Sequence, residues 1–470
     1  MAIEAQQQPQ WFTPMRLLVL FCVINLLNYV DRGVIASNGV NGAPGNHTCR
    51  ANEACSHGSG IQGEFKLSNF QDGVLSSAFM GGLLVASPIF AELTKSCNPF
   101  RLIGVGLSVW TFATAGCGFS VGFWSIASFR LLVGVGEASF VSLAAPFIDD
   151  YAPPEQKSRW LSYFYMCMPV GVALGYVFGG VVGSLLHWRA AFFLEALIML
   201  PFAVFGFVSA PINLMSNSND DLYTLIDEEQ STMENSERSA KRPGLSKLKG
   251  VLYDFRDLFQ NKVYMINVLG YIAFNFVLGA YSYWGPKAGE AIYQMKSADL
   301  IFGGVTMLCG VIGTFAGGAV LDFIGSSIRN GFKLLALSTI LGGVGCMLAF
   351  SSRNVVLFIF LFAVAELFLF ATQGPVNQLN LQSVPQELRA LAMATSTVLI
   401  HVLGDVPSSP LVGLVEDKLH NWRSTALILT SIYFLAAAFW LWGFLLFFFG
   451  SVEEKQSPQA GQEETTLIQH

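Results

Sequence analysis

Charge is what this sequence has least of. Only 12% of its 470 residues are Asp, Glu, Lys or Arg, about half of what a soluble protein of this size carries. A soluble enzyme is excluded on that ground. Basic surface is missing too: 26 Lys and Arg stand against 32 Asp and Glu, for a net charge of -6. That excludes a nucleic-acid binder. Eight cysteines scattered through the chain do not make a disulfide scaffold. Six of them, Cys22, Cys97, Cys117, Cys167, Cys309 and Cys346, lie in or beside apolar runs and read as small hydrophobes. The polar start, 1–10, leads into an apolar run that contains charges and has no small-residue cleavage site, so no cleavable signal peptide is expected. No Ser/His/Asp set, metal cluster or phosphate loop stands at workable spacing. An enzyme is therefore not expected, nor any cofactor other than a proton gradient.

Apolar length is what the sequence has instead. Twelve runs, roughly 17–37, 70–94, 101–120, 123–148, 158–186, 190–210, 263–285, 298–323, 332–350, 354–378, 388–415 and 423–450, are long enough to cross a hydrocarbon core of ~30 Å. A polar break over 211–262 divides them six and six. The expected protein is an all-α polytopic membrane protein. Its parts are a six-helix bundle over 1–210, a central loop over 211–262, a second bundle over 263–450 and a tail over 451–470. Within the central loop, Ser216–Glu237 has the composition of a disordered segment. Leu245–Phe259 mixes Leu, Val and Phe with Lys, Asp and Arg, like an interfacial helix.

Orientation follows from Lys and Arg. With the N-terminus in the cytosol, sixteen fall in cytosolic segments, eight in the opposite loops, and two, Arg32 and Arg130, inside spans. This bias places both termini and the central loop in the cytosol. The acceptable glycosylation sequon, Asn46-His47-Thr48, then falls in the first non-cytosolic loop. Cys49 and Cys55 share that loop, where a lumenal disulfide is expected and two free thiols are the other reading.

The two halves repeat. Glu92 matches Asp322, Arg159 matches Arg389, and Trp188-Arg189 matches Trp422-Arg423, at offsets of 230, 230 and 234 residues. Each landmark stands at an equivalent span boundary, which indicates duplication of a six-helix unit. The segment Gly318-x-x-x-Asp322-x-x-Gly325 resembles the loop signature of the major facilitator superfamily. Its first-half counterpart keeps Glu92 but has Lys95 where the glycine would stand. The duplication and the loop segment together imply the major-facilitator fold.

An ion within a span costs at least ~2.5–3.5 kcal/mol, so each one asks for a reason. Asp31, Arg32, Arg130, Glu137 and Glu366 are such residues. Adjacent Asp31 and Arg32 point about 100° apart on a helix and need not pair with each other. Arg130 and Glu137 are seven apart and face the same way, with Gly134 between them leaving room for a ligand or a neighbouring helix. Arg130 would lie level with Asp31, close enough for an ion pair. It is either a static structural bridge or part of a gate. Glu137 falls near the midplane, where a desolvated carboxyl can load and release a proton. Glu366 occupies the duplicated place in the tenth span, but Ile359 stands where a matching arginine would be. His401 and Asp405, four apart, share one face of the eleventh span. A histidine there is suited to sensing an acidic lumen. Pro407 and Pro410 follow and should loosen that helix. Glu195 lies toward the lumenal end of its span and reads as a boundary residue. Gly171, Gly175, Gly179 and Gly183 make one small face on the fifth span. In the tail, Glu463-x-x-x-Leu467-Ile468 fits an acidic dileucine sorting signal for an adaptor and an endolysosomal or vacuolar address.

Asn28-Tyr29-x-Asp31-Arg32, Arg130-x-Leu132-x-Gly134-x-Gly136-Glu137-Ala138 and His401-x-x-Gly404-Asp405 with Ser409-Pro410 resemble the Spinster family of lipid transporters. The Gly- and Asn-rich first lumenal loop looks like the plant branch. The resemblance implies proton-linked movement of single-chain phosphate-bearing lipids, lysophospholipid or sphingolipid. It also implies that Asp31, Arg32, Arg130 and Glu137 form the proton-coupling and headgroup-binding network, with His401 contributing from the other half. From the residues themselves, Asp405 and Glu366 join Arg32 and Arg130 as candidates for headgroup contact or gating ion pairs, and Glu366 is otherwise a second proton site or an inherited buried polar residue. A monomer is expected, in a lysosomal, late endosomal or vacuolar membrane, with the plasma membrane as the alternative. The other readings are an exporter of sphingosine 1-phosphate or a small organic anion, and a non-transporting receptor on a transporter scaffold.

Overall fold

The computed structural model describes residues 13–45, 58–93, 97–153, 157–208, 253, 255–295, 297–385 and 388–456. Twelve helices among them are long and apolar enough to cross a membrane. They are α1 Pro14–Ala36, α2 Asn69–Leu93, α3 Pro99–Phe119, α4 Phe123–Tyr151, α5 Lys157–Leu185, α6 Trp188–Val208, α7 Lys262–Tyr293, α8 Ala298–Ile324, α9 Ile328–Ser351, α10 Val355–Phe370, α11 and α12 Trp422–Gln456. A turn carries α10 on into Gln373–Gln382, and α11 is built from Arg389–Leu399, a π-helical segment Ile400–Asp405 and Val406–Leu419.

The starts of these helices are written in side chains. Thr13, Asn98, Asn261, Ser327 and Asn354 each accept a hydrogen bond from a backbone N–H of the first turn. Pro14 and Pro99 sit where a missing N–H does no harm. The π-helical segment ends just before Pro407. The ring at that position removes a backbone donor, and one wide turn absorbs the mismatch, so the loosening expected of α11 is present. Of the expected interfacial helix, Phe255–Gln260 is helical, and Leu258 is buried with Tyr264, Val268, Val384 and Ala392. The earlier part of that stretch lies outside the described residues.

Glycine sets how closely the first-half helices approach. A Cβ on Gly33 of α1 would stand 2.2 Å from the Val172 carbonyl of α5, and one on Gly175 would stand 2.2 Å from the Val30 carbonyl. Gly183 meets the Gly39 carbonyl in the same way, and Gly179 faces the Ser37 side chain and the Val34 backbone. The small face of the fifth span is therefore a backbone-to-backbone seam with α1. Gly134 of α4 does the same against α2, where a Cβ would be 1.9 Å from the Phe79 carbonyl. The room beside Gly134 is filled by a neighbouring helix.

The duplication recurs as a clamp. The Arg189 guanidinium at the start of α6 donates to the carbonyls of Gly118 and Ser120 at 2.9 and 2.6 Å. Arg423 at the start of α12 donates to Phe350 and Ser352 at 3.0 and 2.6 Å. In each half, one arginine satisfies the orphan carbonyls at the end of the half's third helix.

The halves meet on the side that carries residues 38–45 and 58–68. Asp417 of α11 accepts from the Asn69 and Phe70 N–H groups at 2.9 Å each, capping α2 across the interface. Asp299 of α8 accepts from the Asn38 N–H at 2.9 Å and caps the short helix Asn38–Asn41. Tyr283 donates to Asp72 at 2.8 Å, Trp284 donates to the Ser409 carbonyl at 3.0 Å, and Lys287 bonds Gln62 and lies 3.5 Å from Asp72. A carboxylate at a helix N-terminus is favoured by both hydrogen bonding and the helix dipole. These contacts join the two halves on that side.

Candidate functional site

The charged residues of α1 and α4 form two crossed ion pairs. Arg130 Nη1 donates to both oxygens of Asp31, at 2.8 and 2.9 Å. Arg32 Nη2 donates to Glu137 Oε1 at 2.5 Å. The helical geometry explains the crossing. Asp31 and Arg32 diverge by about 100°, and the two-turn spacing of Arg130 and Glu137 presents a cation and an anion at two heights. The Phe79 ring of α2 packs against both arginines, its centroid 4.9 Å from the Arg32 guanidinium carbon and 5.3 Å from that of Arg130. The Tyr29 ring centroid lies 4.4 Å from Arg32. Cations over ring faces gain most where water is excluded.

Accessibility separates the pairs. The Arg130 side chain is 1% exposed and its partner Asp31 is fully buried, whereas Arg32 keeps 19% of its surface accessible. Removing one member of a sealed pair leaves a bare buried charge, at about 3–5 kcal/mol. Arg32 can exchange one anion for another without that penalty, because it is already partly open. Glu137 Oε2 and both polar atoms of Asn28 have no hydrogen-bond partner among the described residues.

In the second half, His401 Nδ1 and Asp405 Oδ2 are 2.7 Å apart on the π-helical segment, with His401 26% exposed. Among the described residues Glu366 forms no ion pair, and Thr306 donates to its Oε1 at 3.2 Å. Asp405 pairs within its own helix and not across the halves. Asn46, Cys49 and Cys55, and the tail residues Glu463, Leu467 and Ile468, lie outside the described residues, as does Lys95.

Residues 58–406 match the family model of the Major Facilitator Superfamily. A protein of Arabidopsis thaliana named probable sphingolipid transporter spinster homolog 2 is 57% identical over 98% of this chain and 93% of its own length. Protein spinster homolog 1 of Homo sapiens is 30% identical over 86% of this chain and 74% of its own. This chain belongs to the Spinster family of the major facilitator superfamily. It shares its fold with the solved structure of a bacterial homolog to the human lysosomal transporter Spinster, in an inward-facing and occupied conformation. The TM-score is 0.72 over 92% of this chain and 97% of that one, at 15% identity. The protein is thus a multi-pass, Spinster-type transporter and not an enzyme.

Two residues of this Spinster-type chain were misread from sequence. Lys287, which follows the apolar run 263–285 in the sequence, is buried inside α7, because that helix continues through Pro286 to Tyr293. Glu195, read as a boundary residue, is 4% exposed, and neither of its oxygens has a partner among the described residues. The signal available for Lys287 was the aromatic run Tyr281–Trp284 before it, which favours an interface depth over open loop. For Glu195 the signal was unbroken apolar sequence on both sides.

Proposed function

We propose that the protein moves a single-chain sphingolipid or lysophospholipid across its membrane by alternating access, coupled to protons. The observation that carries this reading is the unequal pair of ion pairs on α1 and α4. A headgroup phosphate meets Arg32, the accessible guanidinium, and displaces Glu137. The freed carboxyl, facing apolar surroundings, takes a proton. Asp31 and Arg130 respond as the helices move, and His401 with Asp405 contributes a second protonatable pair from the other half. The acyl chain lies along apolar helix surface. Relatives named as probable sphingolipid transporters support the lipid class. Transport from the lysosomal or vacuolar lumen to the cytosol fits the acidic side as the proton source. In that direction, loading requires the Asp417, Asp299 and Lys287 contacts to open.

The test is uptake of labelled lysosphingolipid and lysophospholipid into proteoliposomes with an imposed pH gradient. Glu137→Gln should abolish the gradient dependence while leaving lipid binding measurable. Gradient-driven uptake unchanged in that variant removes Glu137 from the mechanism. Export of a small organic anion remains the second reading, since Arg32 would meet a carboxylate as readily as a phosphate. Competition between the lipid and such an anion in one assay decides between them.

A further inference from the structure

We propose that a groove on the outer flank of the first half binds a single-chain lipid with a protonated amine at its polar end. The groove has a volume of about 480 Å³ and lies between α1, α3, α5 and α6, within the range of small-molecule sites. Its walls are apolar, with Leu27 and Val30 behind and Leu174, Val181 and Ile198 in front. The three front residues are exposed, so the groove opens toward the bilayer, while Leu27 at its back shares a face of α1 with Asp31 four residues on.

Two polar side chains line it, Trp110 and Glu195. Both are buried, and the Trp110 indole N–H and both Glu195 oxygens have no hydrogen-bond partner among the described residues. Buried polar groups in folded proteins are nearly always satisfied, so a carboxyl and an indole left open on one groove mark a missing ligand. The arginine within electrostatic reach, Arg130, is already committed to Asp31.

The chemistry of the ligand follows from these groups. Two acceptor oxygens call for a donor, and an ammonium offers three N–H groups. A phosphate or a fatty carboxylate would bring these oxygens further acceptors and no N–H donor. The indole N–H suits an oxygen beside the amine, as in a long-chain amino alcohol. The single chain would lie along the apolar walls and continue into the bilayer. This site does not depend on proton-coupled transport and stands or falls by binding alone.

The experiment uses the full chain in nanodiscs of zwitterionic lipid. The probe is a long-chain amino alcohol with a mid-chain diazirine, and its N-acetylated form is the neutral control. Labelled peptides are read by mass spectrometry. The amine should label the 174–198 stretch about tenfold more than the acetamide, the difference one hydrogen bond to a charged group makes. Glu195→Gln should reduce the amine to the acetamide level. Val177→Trp, which fills the groove and leaves the carboxyl in place, should reduce labelling by both probes. Equal labelling by amine and acetamide in the unaltered protein overturns the proposal, whether or not Glu195→Gln folds. So does an excess of amine over acetamide labelling that survives Glu195→Gln in a folded protein.

Discussion

On α4, Arg130 and Glu137 stand two turns apart and each meets an opposite charge on α1. At the matching positions of α10 stand Ile359 and Glu366, and among the described residues Glu366 meets only the Thr306 hydroxyl. Yet Arg189 and Arg423 clamp equivalent loop carbonyls in the two halves at nearly the same distances. Duplication has kept the frame of the six-helix unit and let its interior diverge. Paired charge sits in one half, while the other carries a π-helical segment with His401 and Asp405. A half that must rearrange its charges and a half that must bend are suited to different parts of one transport cycle.

The largest test of this contrast is Arg130→Ala, which leaves Asp31 buried without a partner. It should destabilise the detergent-solubilised protein by about 3–5 kcal/mol, read as a fall in unfolding temperature. Glu366→Gln should change stability by less than about 1 kcal/mol, since only one neutral hydroxyl bond is affected. Equal losses would erase the distinction between the halves. Next in size are the clamps. Arg189→Ala and Arg423→Ala should cost similar amounts, about 1.5–3 kcal/mol each, as hydrogen bonds to a charged group are lost. If one is silent, the shared frame is shared only in appearance.

Gly33→Ala should cost about 1–3 kcal/mol, because α1 and α5 must separate to admit the methyl. Gly304→Ala on α8 is the control, since nothing lies within 4 Å of its Cβ position. Smallest is a pH effect outside the membrane. Burial pushes the Glu64 carboxyl up, and hydrogen bonds from Arg189 and Trp188, with the Arg189 charge, more than reverse this and leave it below the usual value. A depressed carboxyl stabilises above its unfolded pKa of about 4.3 and loses that contribution as pH falls through the folded value. The stability difference between the unaltered protein and Glu64→Gln should therefore be constant from pH 7 to about 5 and vanish in stronger acid. The first-half clamp would then survive an acidic lumen.

Much of this architecture was legible in residues alone. Apolar length marked twelve spans, and a fixed offset between landmarks marked the repeat. The fourfold glycine spacing of α5 marked a close helix contact, and the seven-residue spacing of Arg130 and Glu137 put both on one face. A level partner for Arg130 could also be read, because depth along a helix is linear in sequence. Such local periodicities are set by backbone geometry and need no knowledge of neighbours. Partnership between helices is different. That Glu137 takes Arg32, that Glu366 takes no cation among the described residues, and that Phe79 packs against both guanidiniums depended on which helices the glycine seams draw together. Lys287 and Glu195 were misplaced for the same reason. Whether a charge near a span's end lies in water or in the interior is decided by what packs against it. The sequence by itself determined a duplicated twelve-helix membrane protein with charge inside it. Only the tertiary structure decided which charges are sealed, which one stays accessible, and which carboxyl is left facing a groove.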